Sequence, residues 1–403
     1  MTDAAVGGLE SAAERRGPER VTFPCFDGFR ALAAVVVLVT HVAFLSGFNG
    51  RSRFGAFTAR MDVGVAVFFM ISGFLLYRPF VASRLAGDNG PRTIAYFWRR
   101  ALRILPAYWV ALTITVFVLH VPKHLPSPGD LFLYYGLFHL YDVNDVIGPI
   151  LSSYTLVTEI SFYVFLPIYA YALSRLARRA PERQVRIDLV VLGCLVVAGI
   201  AYRWAIRSRF NGERAFQLLN VLPGWIDVFA VGMVLAVLSA WWSSRRREPV
   251  LFRRRIFPAL SWVLAVAAFV AISLWMGRPG RIDTLGQDMG VHYFYLAVGL
   301  FFLLPGIFGP QRTGLVRHVL QNRAVQLVGL ISYGLYLWNE TMLEKYVEWT
   351  DSTPFNTSFP KMLAVVFVVT VLVAAASYLV VEKPALSLKG RVPSRRPAPN
   401  PAG

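Results

Sequence analysis

Ten apolar runs, each of about 20 residues, take up most of this 403-residue chain and leave it only one natural solvent. They fall at approximately 29–48, 62–80, 104–120, 155–174, 188–206, 217–241, 256–276, 290–309, 324–342 and 361–381. A helix of that length, rising about 1.5 Å per residue, crosses a hydrocarbon core roughly 30 Å thick. Lipid offers no partner to an unpaired backbone N–H or C=O, and the runs are too long for barrel strands. The expected fold is therefore all-α, a polytopic membrane helix bundle of about ten transmembrane helices. Composition agrees: 56% of residues are hydrophobic and only 16% charged, with a mean hydropathy of +0.52, outside the range of soluble proteins this long.

A formal charge of +18 would suit a nucleic-acid binder if the basic residues formed one face. They sit instead between the apolar runs, so no nucleic acid is expected. The clearest groups are Arg245–Arg247 with Arg253–Arg255 after the sixth run, and five arginines between Arg175 and Arg186 after the fourth. Lys and Arg concentrate in cytoplasmic loops, and the alternation fits both termini being cytoplasmic in a multi-pass protein of the cell membrane. Residues 1–24 are polar, with scattered Glu and Arg, so they do not read as a secretory signal and the first run is expected to be retained. The expected organisation is a disordered tail at 1–23, a membrane domain at 24–384 and a disordered basic, Pro-rich tail at 385–403. Leu131–Tyr141 is apolar but too short to span. It reads either as an interfacial packing element or as a wall of an acceptor site. The two cysteines, Cys25 and Cys194, supply neither a disulfide framework nor metal-ligand spacing, and no metal is expected.

Several ionisable residues fall inside the runs, where lipid makes them costly and a functional reading is the default. In the first run Arg30 and His41 are eleven positions apart, about three full turns and about 16 Å of rise, so they share a face. Arg30 is expected at the cytoplasmic interface and His41 in the middle or outer half of the core. The second run contains Ser72-Gly73, small enough for close helix approach. Arg100 and Arg103, three apart beside Arg99, can grip phosphates bidentately or can simply mark topology. Glu159, descending from the outer face, reaches about the depth of His41, and a carboxylate beside an imidazole fixes its tautomer as a general base requires. Asp227 reads either as the partner of an arginine or as a structural carboxylate.

Taken in order, Asp27–His41, Phe68–Leu75, Arg99–Tyr108, Tyr154–Pro167, Ile331–Asn339 and Glu382–Pro384 resemble the acyltransferase-3 family of integral membrane O-acyltransferases. That family is similar in its "hDGhRAhA…H", "FFhhSGFLh", "RRhxRIhPxY", "W(S/T)LxxExxFYhhhP", "hSYxhYLxH" and terminal "ExP" segments. The resemblance covers about residues 24–384. It implies transfer of an acyl group, commonly acetyl, from a cytoplasmic acyl-CoA donor to a hydroxyl of a carbohydrate, glycolipid or small-molecule acceptor, with no permanently bound cofactor. It implies donor binding by Arg30, Arg100 and Arg103, and catalysis by His41 as general base oriented by Glu159. A covalent acyl group on Ser72, Ser161 or His41 is an alternative to direct transfer. Two positions depart from the pattern: Tyr154 replaces the usual Trp and Asn339 the usual His. Without the extracytoplasmic hydrolase-like domain of two-domain relatives, transfer is expected to finish in the membrane domain or on a separate protein. The rival reading is a transporter or flippase that uses Asp62, His41, Glu159 and Asp227 as a pathway.

Overall fold

The computed structural model describes residues 22–88, 90–122, 124–142, 147–176, 181–245, 248–277, 284–309 and 314–393. Thirteen helices organise these residues: α1 Phe26–Leu45, α2 Gly64–Leu85, α3 Thr93–Thr113, α4 Pro128–Tyr135, α5 Ser153–Leu176, α6 Pro181–Arg209, α7 Gly212–Asn220, α8 Ile226–Arg245, α9 Phe257–Met276, α10 Leu285–Ile307, α11 Arg323–Leu330, α12 Ser332–Trp349 and α13 Phe359–Ser377. Short helical turns join them, and the fold is all-α as expected. Among the described residues, nine helices are long and apolar enough to cross a membrane.

The run expected at 324–342 is present as well, but it is divided at Ile331 into α11 and α12. α12 fails a test of apolarity because it carries Asn339, Glu340, Glu344, Lys345 and Glu348. Three of these, Asn339, Glu340 and Lys345, are buried in the bundle. The run expected at 217–241 is also interrupted. α7 stops at Asn220, a 3₁₀ turn at Leu222–Gly224 follows, and α8 starts only at Ile226, since Pro223 lacks the N–H a continuous helix needs there.

α2 and α8 cross at close range. A Cβ added to Gly73 would lie 2.3 Å from the carbonyl oxygen of Phe229, and one added to Gly232 would lie 2.2 Å from that of Met70. Each glycine thus admits the backbone of the other helix. With no hydrophobic force between helices in lipid, such close packing is a main source of association. The rings of Phe69, Phe229 and Phe162 stack in sequence beside this crossing, 4.7 Å and 4.0 Å between centroids. In that stack the α8 ring lies between those of α2 and α5.

The segment Leu131–Tyr141 packs against α3 and α7. α4 opens on a capping box between Ser127 and Asp130, which satisfies two of its free donors. Tyr108 and Trp109 of α3 donate to the carbonyls of Tyr134 and Tyr135, and the Gln217 amide donates to those of Leu140 and Asp142. At its end His139 is fully buried, with Nε2 at 2.9 Å from the Ser153 hydroxyl.

The C-terminal tail corrects an expectation. Helical turns continue from Lys383 through Arg391, where a disordered tail was expected from residue 385. They pack on α3, and the Trp98 indole donates to the Leu388 carbonyl at 3.1 Å. The tail residues 1–21 and 394–403 lie outside the described residues.

Two measurements check this packing. Gly73→Val should force α2 and α8 apart, costing about 1–3 kcal/mol or more and lowering the unfolding temperature in detergent. Gly193→Ala, where an added Cβ meets nothing within 4 Å, should leave that temperature unchanged. Burial holds the His139 imidazole down to about 4 from an ordinary 6.5. As pH falls through that window the unfolded chain takes up a proton that the folded chain refuses, so the fold should lose up to roughly 3 kcal/mol. The parent's unfolding temperature should therefore fall more steeply between those pH values than that of His139→Gln.

Candidate active site

α1 carries Arg30 and His41 on one face, as their spacing requires, and the structure sends the two ends of that face to different surroundings. At its start, Arg30 donates to Asp27 at 3.0 Å and still reaches into a cavity of about 160 Å³ between α1, α2, α3, α5 and α12. Arg100 and Arg103 line the same cavity, one helical turn apart on α3. Among the described residues, neither has a carboxylate within ion-pair distance. Arg100 lies over the Tyr163 ring, 6.0 Å from its centroid, and Glu382 lies near enough to Arg103 to interact with it. Lys389, on the tail turns pinned to α3, adds to the positive field of Arg99, Arg100 and Arg103. Cations gathered without close counter-charges at a cavity mouth are suited to an anionic ligand.

Glu159 lines this cavity from α5. Its Oε1 accepts from the Ser72 hydroxyl at 2.6 Å and from the Tyr163 hydroxyl at 2.7 Å. It makes no hydrogen bond to His41, contrary to the pairing expected from their matching depths. α2 stands between α1 and α5 and supplies Ser72 as the partner instead. Farther along the cavity, the Tyr336 hydroxyl meets Thr155 Oγ1 at 2.6 Å, and the Tyr333 hydroxyl donates to the Ile104 carbonyl at 3.0 Å. Ser72 and Glu159 are half-buried.

His41 belongs to a second polar group, built mainly from α12. Its Nδ1 lies 2.6 Å from Asn339 Oδ1, and its Nε2 lies 3.4 Å from Glu340 Oε1. The Asn339 NH₂ donates to the carbonyls of Leu335 and Tyr336, so its oxygen must be the atom facing the imidazole. Nδ1 then donates its hydrogen to that oxygen. Glu340 is anchored through its other oxygen, which accepts the Ser152 backbone N–H at 2.6 Å, just ahead of α5, where the helix dipole favours a negative charge. Ser152 Oγ and Asn339 both donate to the Tyr336 carbonyl, so Tyr336 links the two polar groups. The imidazole side chain keeps 27% exposure, enough for a small partner to reach it.

Sequence reasoning singled out His41 and registered Asn339 as a departure, but it missed Glu340 as a partner. The adjacent Asn339-Glu340 pair, polar at the end of an otherwise apolar and aromatic run, was the available signal. The remaining carboxylates are accounted for elsewhere. Asp227 pairs with His292 Nε2 at 2.6 Å and with the Val228 N–H at 2.9 Å, not with an arginine. The nearby Arg203 holds Asp288 through two bonds of 2.8 and 3.0 Å. Asp62 accepts from the Tyr295 hydroxyl. Neither Asp62 nor Asp227 lines the cavity, so the four residues of the transporter reading do not share it.

The family profile described as "Acyltransferase domain" matches residues 23–380. The chain is 27% identical to "Nodulation protein 10" of Rhizobium leguminosarum bv. viciae, covering 92% of this chain and 95% of that protein. It is 25% identical to "Putative peptidoglycan O-acetyltransferase YrhL" of Bacillus subtilis (strain 168), over 93% of this chain and 56% of that one. To "Peptidoglycan O-acetyltransferase OatA" of Listeria monocytogenes serovar 1/2a it is 24% identical, over 78% of this chain and 48% of that one. The chain thus spans about half the length of these last two relatives. No solved structure matches. A match across nearly the whole helix bundle, with relatives named for O-acetyl transfer, places the chain in the acyltransferase-3 family, as a multi-pass membrane O-acyltransferase.

Proposed function

We propose that the protein sits in the cell membrane with both termini cytoplasmic and moves an acyl group, acetyl in the simplest case, from acyl-CoA to a hydroxyl of a carbohydrate, glycolipid or small-molecule acceptor. The observation that carries this reading is the gathering of Arg30, Arg100, Arg103 and Glu159 around one narrow cavity. Three guanidiniums at its mouth match the phosphates of a CoA thioester. Its volume is close to the ~150 Å³ that holds a single benzene in an engineered core, so it suits the thioester end of the pantetheine arm, with the nucleotide outside it at the arginines. Acetyl as the acyl group and a glycan as the acceptor are further supported by the names of two relatives.

In this reading His41 is the general base. Asn339 holds its Nδ1–H, and Nε2 takes the proton of the acceptor hydroxyl. The Glu340 carboxylate beside Nε2 steadies the imidazolium that forms. An amide does this orienting task as well as the family's usual histidine, because only a fixed acceptor for Nδ1–H is required. Glu159 acts in the donor cavity, holding the Ser72 and Tyr163 hydroxyls beside the thioester.

The test uses purified full-length protein in detergent with acetyl-CoA and N-acetylglucosamine oligomers, following donor binding by calorimetry and free thiol release. Arg100→Ala with Arg103→Ala should weaken donor binding by about a hundredfold or more, as loss of two charge-assisted contacts requires. His41→Ala should keep donor binding and lose about 10²–10⁴ in turnover; full turnover by this variant would remove His41 from the mechanism. Asn339→Leu frees the imidazole to adopt the wrong tautomer and should cost at least about tenfold in kcat. Asn339→His should preserve most activity.

A further inference from the structure

The donor cavity is narrow, at about 160 Å³ close to the room one small organic group fills, and it holds a hydroxyl already bonded to a carboxylate. An acyl group delivered there has a nucleophile of the protein beside it that can hold it until the acceptor arrives. We propose, building on the acyl-CoA reading above, that it waits as an ester on Ser72.

The hydrogen bonds of the cavity single out this residue. Thr155 and Tyr336 are paired with each other, and Tyr333 is committed to the Ile104 carbonyl. Ser332 is 2% exposed. Only Ser72 and Tyr163 donate to a carboxylate, both to Glu159 Oε1. Tyr163 is held there from one turn along the same helix and is buried, whereas Ser72 comes across from α2 and keeps part of its surface in the cavity. Ser161, also on α5, bonds the Val157 carbonyl and the Tyr141 hydroxyl and lies outside the cavity. His41 does not line it either, and both of its ring nitrogens face α12.

The chemistry closes at Glu159. Ser72 Oγ gives its proton to Oε1 and attacks the thioester carbonyl carbon. The C–S bond breaks, Glu159 returns the proton to the sulfur, and CoA leaves as the free thiol. An acceptor hydroxyl bound between His41 and the cavity then loses its proton to the His41 Nε2 and attacks the ester carbonyl carbon. The bond from that carbon to Ser72 Oγ breaks, the proton taken up by His41 returns to the serine oxygen, and the acyl group leaves as an ester of the acceptor.

The experiment incubates the full chain in detergent with acetyl-CoA and no acceptor, then measures protein acylation by intact mass and peptide mapping. In parallel it follows isotope exchange between labelled CoA and acetyl-CoA, which requires a reversible acyl-enzyme. The parent should carry one acetyl group at Ser72 and catalyse exchange. Ser72→Ala should lose both, exchange falling at least about a hundredfold, while its acetyl-CoA binding stays close to that of the parent. Ser72→Cys should restore the label as a hydroxylamine-sensitive thioester, and Ser161→Ala should exchange like the parent. A parent that binds acetyl-CoA but gives neither exchange nor label, a label on Tyr163, or undiminished exchange by Ser72→Ala would overturn the proposal and leave the Ser72–Glu159 bond as a tie between helices. Absence of acetyl-CoA binding by the parent would instead bring down the donor reading, and this proposal with it.

Discussion

Hydrocarbon gives a polar group no partner, and the architecture of this protein follows from that constraint. Backbone groups are satisfied within helices, and most ionisable side chains in the bundle are satisfied across them. Asp227 holds His292, Arg203 holds Asp288 with two bonds, and Asp188 collects Tyr77, Tyr169 and Arg84. Each of these groupings ties one helix to another, and none of their residues lines the donor cavity. Arg100 and Arg103 stand apart because their side chains turn to a space large enough for a ligand. In a low-dielectric medium, cations without close counter-charges are tolerated where something anionic comes and goes.

The two polar groups around the cavity divide the chemistry between two helices. α2 brings Ser72 to Glu159, and its position depends on the reciprocal glycines Gly73 and Gly232 that seat it on α8. α12 brings Asn339 and Glu340 to His41 and fixes the imidazole tautomer through an amide whose own orientation two backbone carbonyls determine. Tyr336 joins the groups, with its hydroxyl on Thr155 and its carbonyl accepting from Ser152 and Asn339. A displacement of α12 would therefore reach both the base and the outer end of the donor cavity. This coupling is geometric, and it accounts for a helix as polar as α12 being retained inside the bundle.

Much of this was legible in the residues alone, for reasons that can be stated. Apolar runs long enough to span a bilayer dictate helices, and helix geometry places Arg30 and His41 on one face and Arg100 and Arg103 one turn apart. The rise per residue also gives depth, which is how Glu159 came to be matched with His41. Depth is only one coordinate. Which helices are neighbours depends on side-chain packing over the whole bundle, through contacts such as the Gly73–Gly232 crossing and the Phe69–Phe229–Phe162 stack. That packing puts α2 between α1 and α5, so Glu159 meets Ser72, and His41 meets a carboxylate from α12. The division of the run at 324–342 and the helical turns up to Arg391 were hidden for the same reason: the polar residues of α12 and the Leu388 carbonyl find their partners only in the folded bundle. The sequence by itself determined the solvent, the secondary structure, the family and the chemical types at the site. The tertiary structure alone decided which of those groups touch, because hydrogen bonds reach about 3 Å and a chain's periodicity carries no information about its neighbours at that range.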